Sequence, residues 1–198
     1  MDPFTLEAQV VIDGFVCLMG KNGSGKTSLI NTLAGFYKVD SGRIVVNGVD
    51  VTRLEAYRRG IVVVNHNSFL PHMDVDDHLV YGLKVRGLRV NVDEVQIVKS
   101  ALGVDYRGKV GKLSLGMKMR VALATAILSR PSGILVDEVF SNLHNPLEAL
   151  KEYKKLSGDR GIDVLYTTQS KEEGEVAETL YLIEGGKTKL LRSNKNHG

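Results

Sequence analysis

Gly20-Lys21-Asn22-Gly23-Ser24-Gly25-Lys26-Thr27 stands between the apolar run Phe15-Val16-Cys17-Leu18-Met19 and a helical pattern that opens Ser28-Leu29-Ile30. The octet satisfies G-x-x-x-x-G-K-[ST], in the strand-then-helix setting that the motif requires. Glycines let the backbone wrap closely round phosphates, and successive N–H groups at a helix start supply positive potential. Lys26 reaches the outer phosphates and the Thr27 hydroxyl can ligate Mg²⁺. Gly20, Asn22, Gly23, Ser24, Gly25, Lys26, Thr27 and Ser28 are therefore the candidate cradle for a nucleoside triphosphate. The alternative is a glycine-rich turn with an exposed lysine, and the flanking pattern weighs against it.

Outward from this loop, short β-rich runs recur between helical patterns: Ile44 to Val46, Ile61 to Val64, Ile134 to Val136, Val164 to Thr168 and Leu180 to Ile183. Such alternation predicts an α/β fold with a largely parallel sheet. Between Val64 and Ile134 the pattern is helical, near Asp74 to Val85 and Val92 to Ala101, with no convincing strand. This predicts a helical lobe at about residues 66–120, inserted into a core formed by residues 1–65 and 121–198. Met117, Val121, Ala124 and Leu128 have helical spacing up to Pro131, which predicts a buried helix over Gly116 to Leu128. Asn145-Pro146-Leu147-Glu148 reads as a capping asparagine, a first-turn proline and a glutamate three after the cap, opening a helix to about Leu156. Met1 to Thr5 reads as a cloning remnant and Arg192 to Gly198 as a frayed tail.

The 198 residues, 43% hydrophobic and 25% charged, suit one domain able to bury its own core. A net charge of +3, from 26 basic against 23 acidic residues, is too slight and too scattered to call for a nucleic acid. The single cysteine, Cys17, excludes an internal disulfide and fits a reducing, cytosolic setting as a small core residue. No apolar stretch approaches the roughly 18 residues that cross a bilayer, and no basic-then-apolar leader opens the chain. Any membrane role must come through a partner. His66, His72, His78 and His197 lack the spacing and neighbours of a metal site, and none is assigned one.

A phosphate-binding loop needs a second carboxylate anchor for its metal, and Ile134-Leu135-Val136-Asp137-Glu138 supplies one at a strand end. Asp137 is the metal-side candidate, and Glu138 can orient or deprotonate water attacking the γ-phosphate. With both motifs in place the chain resembles the ATPase subunits of ATP-binding cassette (ABC) transporters, from about Leu6 to Lys189. Leu113-Ser114-Leu115-Gly116-Met117 resembles the family signature LSGGQ, and Arg120-Val121-Ala122-Leu123-Ala124 resembles its extension. On the residues alone that segment is a helix start capped by Ser114. The resemblance implies a P-loop NTPase core with a parallel sheet and an inserted helical subdomain. It also implies ATP and Mg²⁺ as ligands, and a homodimer or heterodimer in which Ser114 and Gly116 of one subunit close over ATP on the other. Membrane permease subunits become the partners, and the inner face of the cell membrane the location.

Departures from the family pattern are expected to slow hydrolysis. Asn65 replaces the glutamine after the third strand, still offering an amide to Mg²⁺ or water but one methylene shorter. His144 replaces an aspartate, and Val139 a proline. Gln169, after Tyr166-Thr167-Thr168, takes the place of the switch histidine at the γ-phosphate; it can donate a hydrogen bond but cannot take up a proton or carry a positive charge. The expected catalytic set is Glu138, Lys26 and Gln169; the expected metal set is Thr27, Asp137 and Asn65. The early stretch offers only Phe4 as an aromatic for the nucleobase. Phe69-Leu70-Pro71-His72-Met73 resembles the loop by which importer ATPases meet their permease, and is expected to expose Phe69 and Leu70, whereas Ser-Leu-Gly-Met resembles exporters. Two alternatives share these motifs: an ATP-dependent dimerisation clamp with weak hydrolysis, and a soluble ABC ATPase acting on DNA or the ribosome. Against the second stands the lack of a long heptad insertion or second cassette in this chain.

Overall fold

The computed structural model describes residues 5–193. Five of the six apolar runs form the predicted parallel sheet: β1 (Phe15–Met19), β4 (Ile61–Val64), β5 (Gly133–Val136), β6 (Asp163–Thr168) and β7 (Thr179–Glu184). Their order is β4-β5-β6-β1-β7, with every pair parallel, so β6 lies between the strand that feeds the glycine-rich loop and the strand that ends before Asp137. Alternation along the strands sorts side chains to two faces. Val16, Leu18, Leu135 and Leu165 pack with Leu29 and Ile30 of α1 (Lys26–Ala34). Phe15, Cys17, Ile134, Val136, Val164 and Tyr166 join the larger core on the other face. Because side chains on a strand alternate, both faces can be apolar only where helices cover both.

One strand expectation fails, and the expected tail fails at its first two residues. Ile44 to Val46 does not enter the main sheet; β2 (Val45–Val46) pairs only with β3 (Val49–Asp50) in a small antiparallel hairpin. Asn47 and Gly48 both have positive φ, 49° and 78°, the turn geometry for which Asn-Gly is the preferred dipeptide. The expected frayed tail instead begins inside β8 (Lys187–Ser193), an antiparallel edge strand reached through Gly185-Gly186. Arg192 fastens it: the guanidinium pairs with Glu175 and donates to the carbonyls of Gly174 and Ala177. Phe4, His197 and the rest of residues 1–4 and 194–198 lie outside the described residues.

Between β4 and β5 the chain forms α2 (Val75–Val85), α3 (Val92–Ala101) and α4 (Leu115–Leu128). α4 runs unbroken through position 120, and eight of its residues from Met119 to Leu128 are buried, the signature of a helix covered on all sides. α2 crosses it closely: a Cβ on Gly82 would lie 2.6 Å from Ser129 Cβ. Glu94 of α3 reaches the core through Arg130 (2.5 Å) and Arg160 (3.4 Å). Phe69 and Leu70 are half-buried, contrary to the exposed loop expected; Phe69 packs on the core beneath the Lys118 ammonium, 5.1 Å from the ring.

α5 (Pro146–Gly158) begins where expected, yet Asn145 does not cap it. Asn145 is in the left-handed region (φ 57°), not the extended backbone usual for a capping residue, and its amide donates to Glu148 (3.2 Å). Among the described residues no helix is long and apolar enough to cross a membrane.

Candidate functional site

β1 ends at Met19, and the loop that follows is bound to the sheet by Gly20, whose N–H donates to Thr168 O at 3.1 Å. A Cβ at Gly20 would lie 2.6 Å from both Ile183 O and Ser24 Oγ, so only glycine fits. Gly23 (φ 76°) and Gly25 (φ 110°) take left-handed conformations that cost other residues free energy. The turn delivers the chain into α1, whose first N–H groups receive no side-chain cap. An uncapped, nine-residue helix whose N-terminus opens on a cleft is suited to a phosphate group.

Lys26 is 4% exposed and fully engaged. Its ammonium donates to Gly20 O (2.8 Å) and Lys21 O (3.0 Å) and pairs with Glu138 Oε1 (2.9 Å). The Thr27 hydroxyl donates to Asp137 Oδ2 at 2.8 Å. Asn22, Gly23, Gly25, Lys26, Thr27, Ser28 and Glu138 line one cleft. Gly20 and the buried Ser24 sit in the loop behind it. Thr27 and Asp137 offer adjacent hard oxygen donors, the chemistry Mg²⁺ prefers, so the residues present fit that ion.

Gln169 reaches the same loop: its Nε2 donates to Asn22 Oδ1 at 2.8 Å. Asn65 does not share in this grouping. Its Oδ1 accepts from Asn67 N (2.9 Å) and Ser68 Oγ (3.1 Å), so a metal-ligand role would require both bonds to open. Ser114 caps α4, its Oγ accepting from Met117 N at 3.3 Å, and neither it nor Gly116 lines the cleft of its own chain. Arg120 ties this helix to the segment after β5 through the carbonyl of His144 (2.9 Å).

Three further residues escaped the sequence reading. Thr167 Oγ1 donates to Asp137 Oδ1 (2.8 Å) and accepts from Glu138 N (2.9 Å). Asn142 Nδ2 donates to Glu138 O at 2.9 Å. Glu173 is buried and accepts from Thr168 Oγ1 (2.5 Å) and Ser141 Oγ (3.1 Å), joining the loop after β5 to the end of β6. The available signal for Thr167 was a pair of threonines closing the buried run Val164-Leu165-Tyr166.

Residues 5–141 match the model of the family described as ABC transporter. The chain belongs to the ABC transporter family. Within it, the spermidine/putrescine import ATP-binding protein PotA of Hahella chejuensis is 35% identical over 187 residues, which are 89% of this chain and 51% of that protein. The molybdate/tungstate import ATP-binding protein WtpC of Pyrococcus abyssi is 36% identical over 163 residues, 79% of this chain and 47% of that one. The Fe(3+) ions import ATP-binding protein FbpC 1 of Haemophilus influenzae is 35% identical over 181 residues, 87% and 55% respectively. The chain thus spans about half the length of the curated relatives it matches. A solved structure described as the ATP binding subunit of an ABC transporter shares the fold, with a TM-score of 0.76 at 21% identity over 92% of this chain and 81% of that one.

Proposed function

We propose that this chain binds Mg·ATP in the cleft at the start of α1 and hydrolyses it, as the ATP-binding subunit of an import ABC transporter. The observation that carries the reading is the ion pair between buried Lys26 and Glu138, set directly beside the Thr27–Asp137 pair. The ammonium of this deeply placed lysine is engaged by two backbone carbonyls and one carboxylate, and of these only the carboxylate can swing away. γ-Phosphate oxygens are the natural replacement. Once displaced, Glu138 is free to orient and deprotonate the attacking water. Bound at Thr27 and Asp137, Mg²⁺ supplies charge neutralisation on the phosphate oxygens. Lys26 stabilises the same developing charge from the loop side. Gln169 contributes a neutral donor next to Asn22.

The names of the relatives support import as the direction. In this reading the cleft is completed by Ser114 and Gly116 of a second ATP-binding subunit, and residues 66–120 form the lobe that meets a permease on the inner face of the membrane. A clamp with weak turnover is the second reading, favoured by the neutral Gln169 in place of a histidine.

Lys26→Ala tests the central claim. Loss of the cation that meets the outer phosphates should weaken ATP binding about 10- to 100-fold in calorimetry, the range for hydrogen bonds to charged groups. Unchanged affinity in a folded variant would reject the site.

A further inference from the structure

We infer that Thr167 is a positioning residue: its hydroxyl fixes which oxygen of Asp137 faces the metal and where the peptide of Glu138 lies. The inference rests on the reading of the cleft as a Mg·ATP site. Thr167 sits in β6 opposite Leu18 of β1, 1% exposed, on the face of the strand that also carries Leu165. A hydroxyl in such a place is unfavourable unless its bonds are made. Both are: one lone pair accepts the Glu138 N–H at 2.9 Å, and the proton goes to Asp137 Oδ1 at 2.8 Å.

The direction of these bonds follows from the chemistry. A backbone N–H can only donate and an ionised carboxylate can only accept, so the hydroxyl between them has one possible orientation. That orientation occupies Asp137 Oδ1 and leaves Oδ2 turned to Thr27 Oγ1, 2.8 Å away. Mg²⁺ at this site would be held by a lone pair of the Thr27 hydroxyl oxygen on the side of the carboxylate where Asp137 Oδ2 lies. Thr167 holds the other oxygen throughout, so the carboxylate does not rotate.

Glu138, next along the chain, is a non-glycine residue at φ 53°. Left-handed backbone at such a position persists only where its surroundings determine it. Here the N–H is held by Thr167 and the carbonyl by Asn142 Nδ2, both at 2.9 Å. With its peptide clamped at both ends, Glu138 moves only by side-chain torsions between Lys26 and the reacting water. One hydroxyl therefore sets the geometry of the metal carboxylate and of the proposed base together.

Thr167→Val keeps the β-branched shape and removes only the hydroxyl; Thr167→Ser keeps the hydroxyl. The experiment uses the full chain and two titrations: Mn²⁺ into the complex with a non-hydrolysable ATP analogue, followed by paramagnetic resonance, and the analogue alone in EDTA. Ligands' outer partners typically contribute roughly 10- to 100-fold to metal affinity, so Thr167→Val should weaken Mn²⁺ about 10-fold or more while binding in EDTA stays within about twofold. Thr167→Ser should restore the metal affinity, which a purely structural role for the threonine does not require. Wild-type Mn²⁺ affinity in folded Thr167→Val overturns the inference. Where that variant does not fold, Thr167→Ala is compared with Thr167→Ser, and equal metal affinities overturn it. An analogue affinity of the unaltered protein that is no tighter with Mn²⁺ than in EDTA overturns the parent reading, and this inference with it.

Discussion

Gln169 and Asn22 lie 147 positions apart in sequence, and their side-chain amides meet at 2.8 Å. Where the resemblance implies a histidine, the chain places a neutral donor already bonded to the glycine-rich loop. If that donor serves the γ-phosphate, Gln169→Ala should lower turnover in a phosphate-release assay, up to the ~10²–10³ that a lost donor to developing charge costs. Gln169→His should raise turnover unless the surroundings are tuned to glutamine. Wild-type turnover in the alanine variant would show that Gln169 has no part in the reaction. At this scale the sequence was legible where chemistry dictates local spacing: Lys26, Thr27, Asp137 and Glu138 fall together as their motifs required. Thr167 and Glu173 were not legible, because one is a threonine in a strand and the other belongs to the charged run Lys171-Glu172-Glu173. Their roles depend on which loops the sheet brings beside them. Asn65 had the right chemistry and the wrong neighbours, since the hydroxyl of Ser68 and the N–H of Asn67 take its oxygen.

Among the elements, α2 carries a histidine that holds the loop after β4 in place. His78 Nε2 accepts from Leu70 N (3.1 Å), while Nδ1 lies 2.8 Å from Thr125 Oγ1 on α4. Accepting at Nε2 requires a neutral ring, and burial holds the imidazole below its ordinary 6.5. The unfolded chain therefore binds a proton near pH 6.5 that the folded chain refuses, so this stability is present above that value and is lost as pH falls below it. Thermal unfolding at pH 7.5 and 5.5 should show a drop in Tm that is smaller in His78→Gln, although that variant starts less stable. Equal drops would remove His78 as the source. The buried strands were readable because both faces are covered, giving dense β-branched runs. β8 was not: Lys187, Lys189 and Arg192 give it the polar look of a tail, the charge by which edge strands resist pairing with other chains. The Ile44 to Val46 run misled because the Asn-Gly turn that follows folds it back on itself before it can reach the sheet.

For the whole molecule, the cleft of one chain contains the P-loop and Glu138 but nothing from the N-terminus of α4. The proposed completion by a second subunit predicts that Glu138→Gln, which keeps size and removes the basic carboxylate, accumulates a Mg·ATP dimer of twice the 21.7 kDa chain in light scattering. A monomer under these conditions would mean that the proper partner is a different subunit or that the closure reading is wrong. The fold class was legible from the alternation of strands and helices, whereas the placement of β6 between β1 and β5 was not, since nothing local encodes strand order. That placement has a kinetic consequence. Thr27 meets Asp137 across 110 positions and Asn22 meets Gln169 across 147, so the pocket closes only after pairings with high loop-closure entropy are complete. A ligand held by all three strands finds no binding surface before the folding barrier is crossed. Its free energy is then expressed as a slower escape from the native state, leaving the rate of reaching it unchanged.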